Sequence, residues 1–271
     1  MSNLISIQEA VNNFKALIEG SILQGGIEAK EAMIRSSKPI NSIHEAVKSA
    51  LINAGVERHR VYPPLGASSP EMKLAGFLKH KHQDVCIAPK GRTPVNEIMQ
   101  EGLLQEEADY YGKEYTERVL SINVRSQMSS LAKNFDTLYE RTIAEAQNLH
   151  VRCPRMVLGE VYMIAVKEYN PIAMKNKKVE FIDKIGAVQK YIKSFQAING
   201  RADCTKEDYK YEKVCLLIVD FGKTPAKIYS TNEELIADGL MPADSQASIV
   251  ELNWESFTPS ILATYKARFG N

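Results

Sequence analysis

The 271-residue chain lacks a charge excess of either sign. Its formal net charge is +1, so a nucleic-acid partner would have to be met by lysines and arginines gathered locally rather than by a basic protein as a whole. It is poor in cysteine. Cys86, Cys153, Cys204 and Cys215 stand far apart, with no CxxC and no Cys/His pair at zinc-ligand spacing. That leaves free thiols in a reducing compartment as the expectation. No apolar run approaches the roughly 18 residues of a membrane span. The opening MSNLISIQEAVNNFK lacks the basic stretch and apolar core of a signal peptide. These absences together predict a soluble, cytoplasmic protein without membrane contact. Internal repeats and low-complexity tracts are missing too. So are GxxxxGK[ST], GxGxxG after a strand, GxSxG and HExxH, which argues against a nucleotide cofactor and the common nucleotide-dependent enzymes.

What is present is a polar-faced strand running into an amphipathic helix. From 119 to 127, Leu120, Ile122 and Val124 alternate with Ser121, Asn123, Arg125 and Gln127. Period two marks a half-buried strand, and a face of Asn, Arg and Gln suits a strand lining a site. Leu131, Phe135, Leu138, Tyr139, Thr142, Ile143 and Ala146 then recur at spacings of three and four, a helical stripe, with Ser129 and Ser130 where an N-cap belongs.

Around this pair the pattern predicts one or two helices over 4–35, broken at Gly25-Gly26, and another over 42–54 stopped by Gly55. Ser69-Pro70-Glu71 carries the signs of a helix start, predicting a helix that bears Lys73, Lys79, His80, Lys81 and His82 and ends near Gln83. Asp84 then opens a short strand closed by Pro89. Residues 90–117 read as an insertion with a short helix over 95–104. Residues 156–166 form a strand, 175–199 a helix with Ile182, Ile185, Val188, Ile192 and Phe195 inward, and 213–221 a strand buried on both faces. An edge strand over 225–230 and helices over 232–237 and 254–268 complete the chain. Strands alternating with helices indicate an α/β fold with a mixed central sheet flanked by helices, residues 67–271, joined to an N-terminal helical region, 1–66. No flexible linker separates the two, so they should form one compact unit.

The chemistry rests on carboxylates. Asp84 at a strand mouth and Glu71 on the preceding element would lie near the polar strand. Hard oxygen ligands of this kind suit Mg2+, which takes one or two carboxylates and keeps several waters. Asp84 also reads plainly as a solvated acid, Glu71 as a helix N-terminal acid, and Arg125 as an ion-pair partner of Glu140 or Asp136. Arg125 and Gln127 could instead read DNA bases. His44 and His150 are lone histidines that read as structural.

This order of elements resembles the PD-(D/E)XK nucleases, in the version found in type II restriction endonucleases. The resemblance covers roughly residues 69–221. Glu71 matches the acid often found on the first helix, and Asp84, in KHQDVCIAP, matches the motif aspartate. Asn123-Val124-Arg125, in SINVRSQ, occupies the place of (D/E)xK. The sequence departs from the pattern in having no Pro before Asp84 and neither an acid nor a lysine at 123 and 125. Variants of the fold replace the lysine by Gln, which brings in Gln127, or move the second acid to the next helix, which brings in Glu140 or Glu145; Glu160 on the following strand is a further choice. The resemblance implies a restriction-endonuclease-like core and a Mg2+-dependent, sequence-specific endonuclease cutting double-stranded DNA as a homodimer. It implies Asp84, Asn123, Arg125 and Gln127 as catalytic residues and Asp84, Glu71 and Glu140 as metal ligands. Lys79, Lys81, Lys133, Lys175, Lys177 and Lys178 are the matching candidates for phosphate contacts.

Overall fold

The computed structural model describes residues 3–183 and 187–270. Helix α1 (Ile7–Arg35) starts at a capping box, in which Ser6 and Glu9 satisfy each other's backbone N–H groups. It bends where the sequence places Gly25-Gly26. Gly26 has φ 67°, and a Cβ there would meet the carbonyl oxygen of Met174 at 2.7 Å. Helix α2 (Lys38–Asn53) packs against α1, and its apolar stripe of Ile43, Ala46, Val47 and Leu51 is buried.

Strand β1 (Val61–Tyr62) follows, then a hairpin, β2 (Met72–Ala75) and β3 (His80–Gln83). The predicted helix over 70–83 is therefore absent. The segment alternates: Met72, Leu74 and Gln83 are buried while Lys73 and His82 are exposed, and residues 76–79 turn between the two runs. Period two and a tight turn outweigh the N-cap signals of Ser69-Pro70-Glu71.

Strand β4 (Val85–Ile87) is short. The insertion carries a two-residue ribbon, β5 (Glu97–Ile98) with β6 (Ala108–Asp109), and a one-turn helix α3 (Lys113–Glu117). The helix predicted over 95–104 does not form. Val95, Ile98 and Leu103 stay exposed while Met99 and Leu104 bury against Ala75, so the apolar residues of the segment do not share one helical face. Next come β7 (Leu120–Gln127), α4 (Leu131–His150), β8 (Val157–Ala165), β9 (Lys167–Tyr169), α5 (Pro171–Lys175), β10 (Phe181–Asp183) and α6 (Val188–Ala197). The single helix predicted over 175–199 is thus three elements: Lys175 ends α5, Phe181–Asp183 pairs with β9, and only Val188–Ala197 is helical. Val188, Ile192 and Phe195 point inward as expected, and Ile185 lies outside the described residues. Strand β11 (Lys213–Asp220), edge strand β12 (Lys227–Tyr229), α7 (Asn232–Ala237) and α8 (Trp254–Phe269) match the sequence reading closely.

Six strands form one mixed sheet in the order β1-β4-β7-β8-β11-β12. Strands β7, β8 and β11 are parallel, joined through α4 and α6, while β4 and β12 run antiparallel to their neighbours. Both faces are covered. Leu120, Ile122, Val124 and Val161 pack with α1, α2 and α8. Leu158, Tyr162, Val214 and Leu216 pack with α4 and α6. The N-terminal helices thus complete one core layer of the sheet. No helix among the described residues is long and apolar enough to cross a membrane.

Candidate functional site

The alternation of β7 sends Asn123 and Arg125 to the face opposite Ile122 and Val124, under α4. The hairpin β2–β3 leans on the same strand. Its register pairs Met72 with Gln83 and Lys73 with His82. One step further along that register sets Glu71 opposite Asp84, at the mouth of β4. Cross-strand neighbours of this kind have Cβ atoms about 4.5–5.5 Å apart. Glu71 also approaches His82, Oε2 to Nδ1 at 3.6 Å. Burial raises the Glu71 carboxyl above its ordinary range, and the charge of Asp84 raises it further. Asp84 is fixed from the other side: its Oδ2 accepts the Val124 backbone N–H at 2.8 Å. The aspartate is therefore pinned to the centre of the triplet Asn123-Val124-Arg125.

Lys81, on β3, reaches across the same spot. Its Nζ donates to Asn123 Oδ1 at 3.0 Å and to Glu145 Oε2, on α4, at 2.7 Å. Burial lowers this ammonium to about 8, Arg125 adds to the fall, and Asp84 and Glu160 oppose it. Arg125 donates to Thr142 Oγ1 at 2.9 Å, pairs closely with Glu145, and has Nε 3.5 Å from Glu160 Oε1. Glu160 sits on β8 in register with Asn123 and is fully buried. Burial pushes its carboxyl up to about 7, against the pull of Arg125 and Lys81. The layout runs from a partly open pair, Glu71 and Asp84, through Lys81 and Asn123, to a closed group of Arg125, Glu145 and Glu160.

The structure thus joins Asp84, Glu71, Asn123 and Arg125, as the sequence predicts, and corrects several roles. Lys81 is an internal partner of the acids rather than a surface lysine. Arg125 is occupied on three sides within the protein. Gln127 points into the core, where its Oε1 accepts from Tyr162 at 3.1 Å and from Tyr191, and its amide donates to Ser130 O at 3.3 Å. It is a packing residue. Glu140 lies on the exposed face of α4, and Glu145 is the acid of that helix that enters the cluster. Lys79, Lys133, Lys175, Lys177 and Lys178 are exposed, on three separate elements: the hairpin turn, α4 and the end of α5.

Sequence reasoning named Lys81 only as a phosphate contact and missed its place in the cluster, because it put residues 70–83 on a helix; the alternation of Met72, Leu74, Lys81 and Gln83 was the available signal. It also set His44 aside. That imidazole, on α2, is held below its usual range by burial, while the charge of Asp84 pulls the other way. The N-terminal helices therefore reach the neighbourhood of the site.

The donor set suits Mg2+ in one respect. Glu71 and Asp84 are hard oxygen donors whose mutual repulsion a cation would relieve. Among the described residues no group of three or more His, Cys, Asp or Glu is arranged to hold a metal, so such an ion would rest on two carboxylates and its own waters. No family model, curated protein or solved structure matches the chain.

Proposed function

We propose that the chain is a Mg2+-dependent endonuclease of double-stranded DNA, on a variant of the PD-(D/E)XK plan whose lysine comes from the hairpin. One observation carries the reading: the Glu71–Asp84 pair, at the mouth of the short strand β4 and pinned to Val124, lies beside the Lys81 ammonium, which bonds Asn123. A basic nitrogen beside two acids is the set that phosphodiester hydrolysis uses. Glu71 and Asp84 are the residues that would hold the cation. When bound, it lowers the pKa of a water and offsets charge on the phosphate. Lys81 donates toward the attacked phosphate and stabilises the charge that develops there. Asn123 orients Lys81 through its Oδ1. Arg125 keeps Glu145 and Glu160 in place behind them and touches no substrate. Cutting both strands of a palindromic site would engage two copies related by a twofold axis.

The test is incubation of phage DNA with the protein in Mg2+ or in EDTA, beside Asp84→Asn. Discrete fragments formed only by the wild type in Mg2+ support the reading. A second reading, a DNA-binding protein that does not cut, is favoured by the two-carboxylate donor set. Retention of duplex DNA without fragments in either condition selects it.

A further inference from the structure

Away from this site, a cavity of about 150 Å3 lies where the chain leaves β4 and meets the end of α8. It is lined by Arg60, Lys90, Arg92 and Arg118, together with Tyr265 and Phe269, and no carboxylate is among the described residues lining it. A second cavity, of about 330 Å3, shares Arg60 and Lys90 with it and reaches Lys266, with Glu57 on its wall. The first is smaller than the roughly 300–1,000 Å3 of a site for drug-sized ligands, and it fits a compact anion better than an organic molecule.

Two of its guanidinium groups are held in place. Arg60 Nε donates to Ala88 O at 2.8 Å. Arg118 lies over the Phe269 ring, 5.5 Å from its centroid, with its Nε 4.0 Å from Glu114 Oε1. Rigid guanidinium forks lose little freedom when they close on a phosphate, which they meet with paired hydrogen bonds. The other two cations have only surface partners. Lys90 meets Glu57 at 2.9 Å and Arg92 meets Glu114 at 3.3 Å, with both cations at least half exposed. Exposed pairs of this kind are worth about 0–1 kcal/mol, so an entering anion displaces them at little cost.

We infer that this basic cavity binds a phosphate group of a nucleic-acid backbone, outside the candidate cleavage site. The inference rests on the nucleic-acid part of the reading above but not on catalysis. Lys90 is six positions on from Asp84, beyond the other end of β4, a span of at most about 20 Å of extended chain.

The test is fluorescence anisotropy of a labelled duplex in EDTA, where cutting cannot interfere, over a range of salt. Lys90→Ala combined with Arg92→Ala is the informative variant, since both side chains are exposed and their loss leaves the fold intact. Its affinity should fall about tenfold near 100 mM salt, and the slope of log K against log salt should shrink by about two. Lys38→Ala with Lys206→Ala removes two exposed charges elsewhere and should change affinity less than about twofold. Inorganic phosphate at the same ionic strength should not reproduce the loss, which separates a backbone site from a free-phosphate site. Unchanged affinity and slope in the first variant, an equal loss in the control pair, or no duplex binding by the wild type would each overturn the inference. Binding without cleavage supports it while removing the nuclease.

Discussion

Arg125 holds three groups from two elements at once: Thr142 and Glu145 of α4, and Glu160 of β8. Removing one partner of a buried ion pair typically costs about 3–5 kcal/mol, because the charges left behind have no water to turn to. Arg125→Ala should lower stability by about that amount, measured by urea unfolding. Combining Arg125→Met with Glu160→Gln should recover a large part of it. Glu160 adds a pH dependence of known sign. Its folded carboxyl stands at about 7, above the ordinary 4.5. The stability it confers is fully present below pH 4.5 and is lost as pH rises through 7. Glu160→Gln lacks this loss. Between pH 5 and pH 8 the wild type should lose up to about 3 kcal/mol relative to Glu160→Gln, read from paired unfolding curves.

The hairpin β2–β3 is the element that assembles the site, since it delivers Glu71, Lys81 and Asp84 together. Its turn is held by Asn148 of α4, whose Oδ1 accepts from the backbones of Leu78 and Lys79 at 2.7 and 3.0 Å. Gly76 makes that approach possible. A Cβ there would fall 2.4 Å from Asn148 Nδ2 and 2.5 Å from its backbone oxygen. Gly76→Ala should cost about 1–3 kcal/mol and displace Lys81 from Asn123, so a lowered Tm should accompany weaker cleavage. This element was also the least legible one in the sequence. Strand β7 and helix α4 were readable because periodicity reports burial directly: Ile122 and Val124 face one core, Phe135 and Ala146 the other. In the hairpin, Ser69, Pro70 and Glu71 gave local helix-start signals, and the antiparallel pairing of β2 with β3 overrode them. The partners of Arg125 were out of reach for a related reason. Choosing among Glu140, Glu145 and Glu160 depends on the rotation of α4 over the sheet and on the parallel register of β7 and β8, neither of which one chain's periodicity fixes.

At the scale of the whole molecule, two helical layers enclose one mixed sheet, and the charged cluster lies between the sheet and α4. A plain scaffold has little use for a lowered lysine beside two repelling carboxylates, because each buried charge costs stability. In the proposed nuclease this cost is retained for phosphodiester chemistry. The most direct check is the single-turnover rate of Mg2+-dependent cleavage of a defined duplex by the wild type, Asp84→Asn and Lys81→Met, with duplex affinity measured in parallel. Both variants should bind within about threefold of the wild type and cut at least about 100-fold more slowly, the usual loss when one transition-state contact is removed. Undiminished cutting by Asp84→Asn, or no Mg2+-dependent cutting by the wild type, would contradict it.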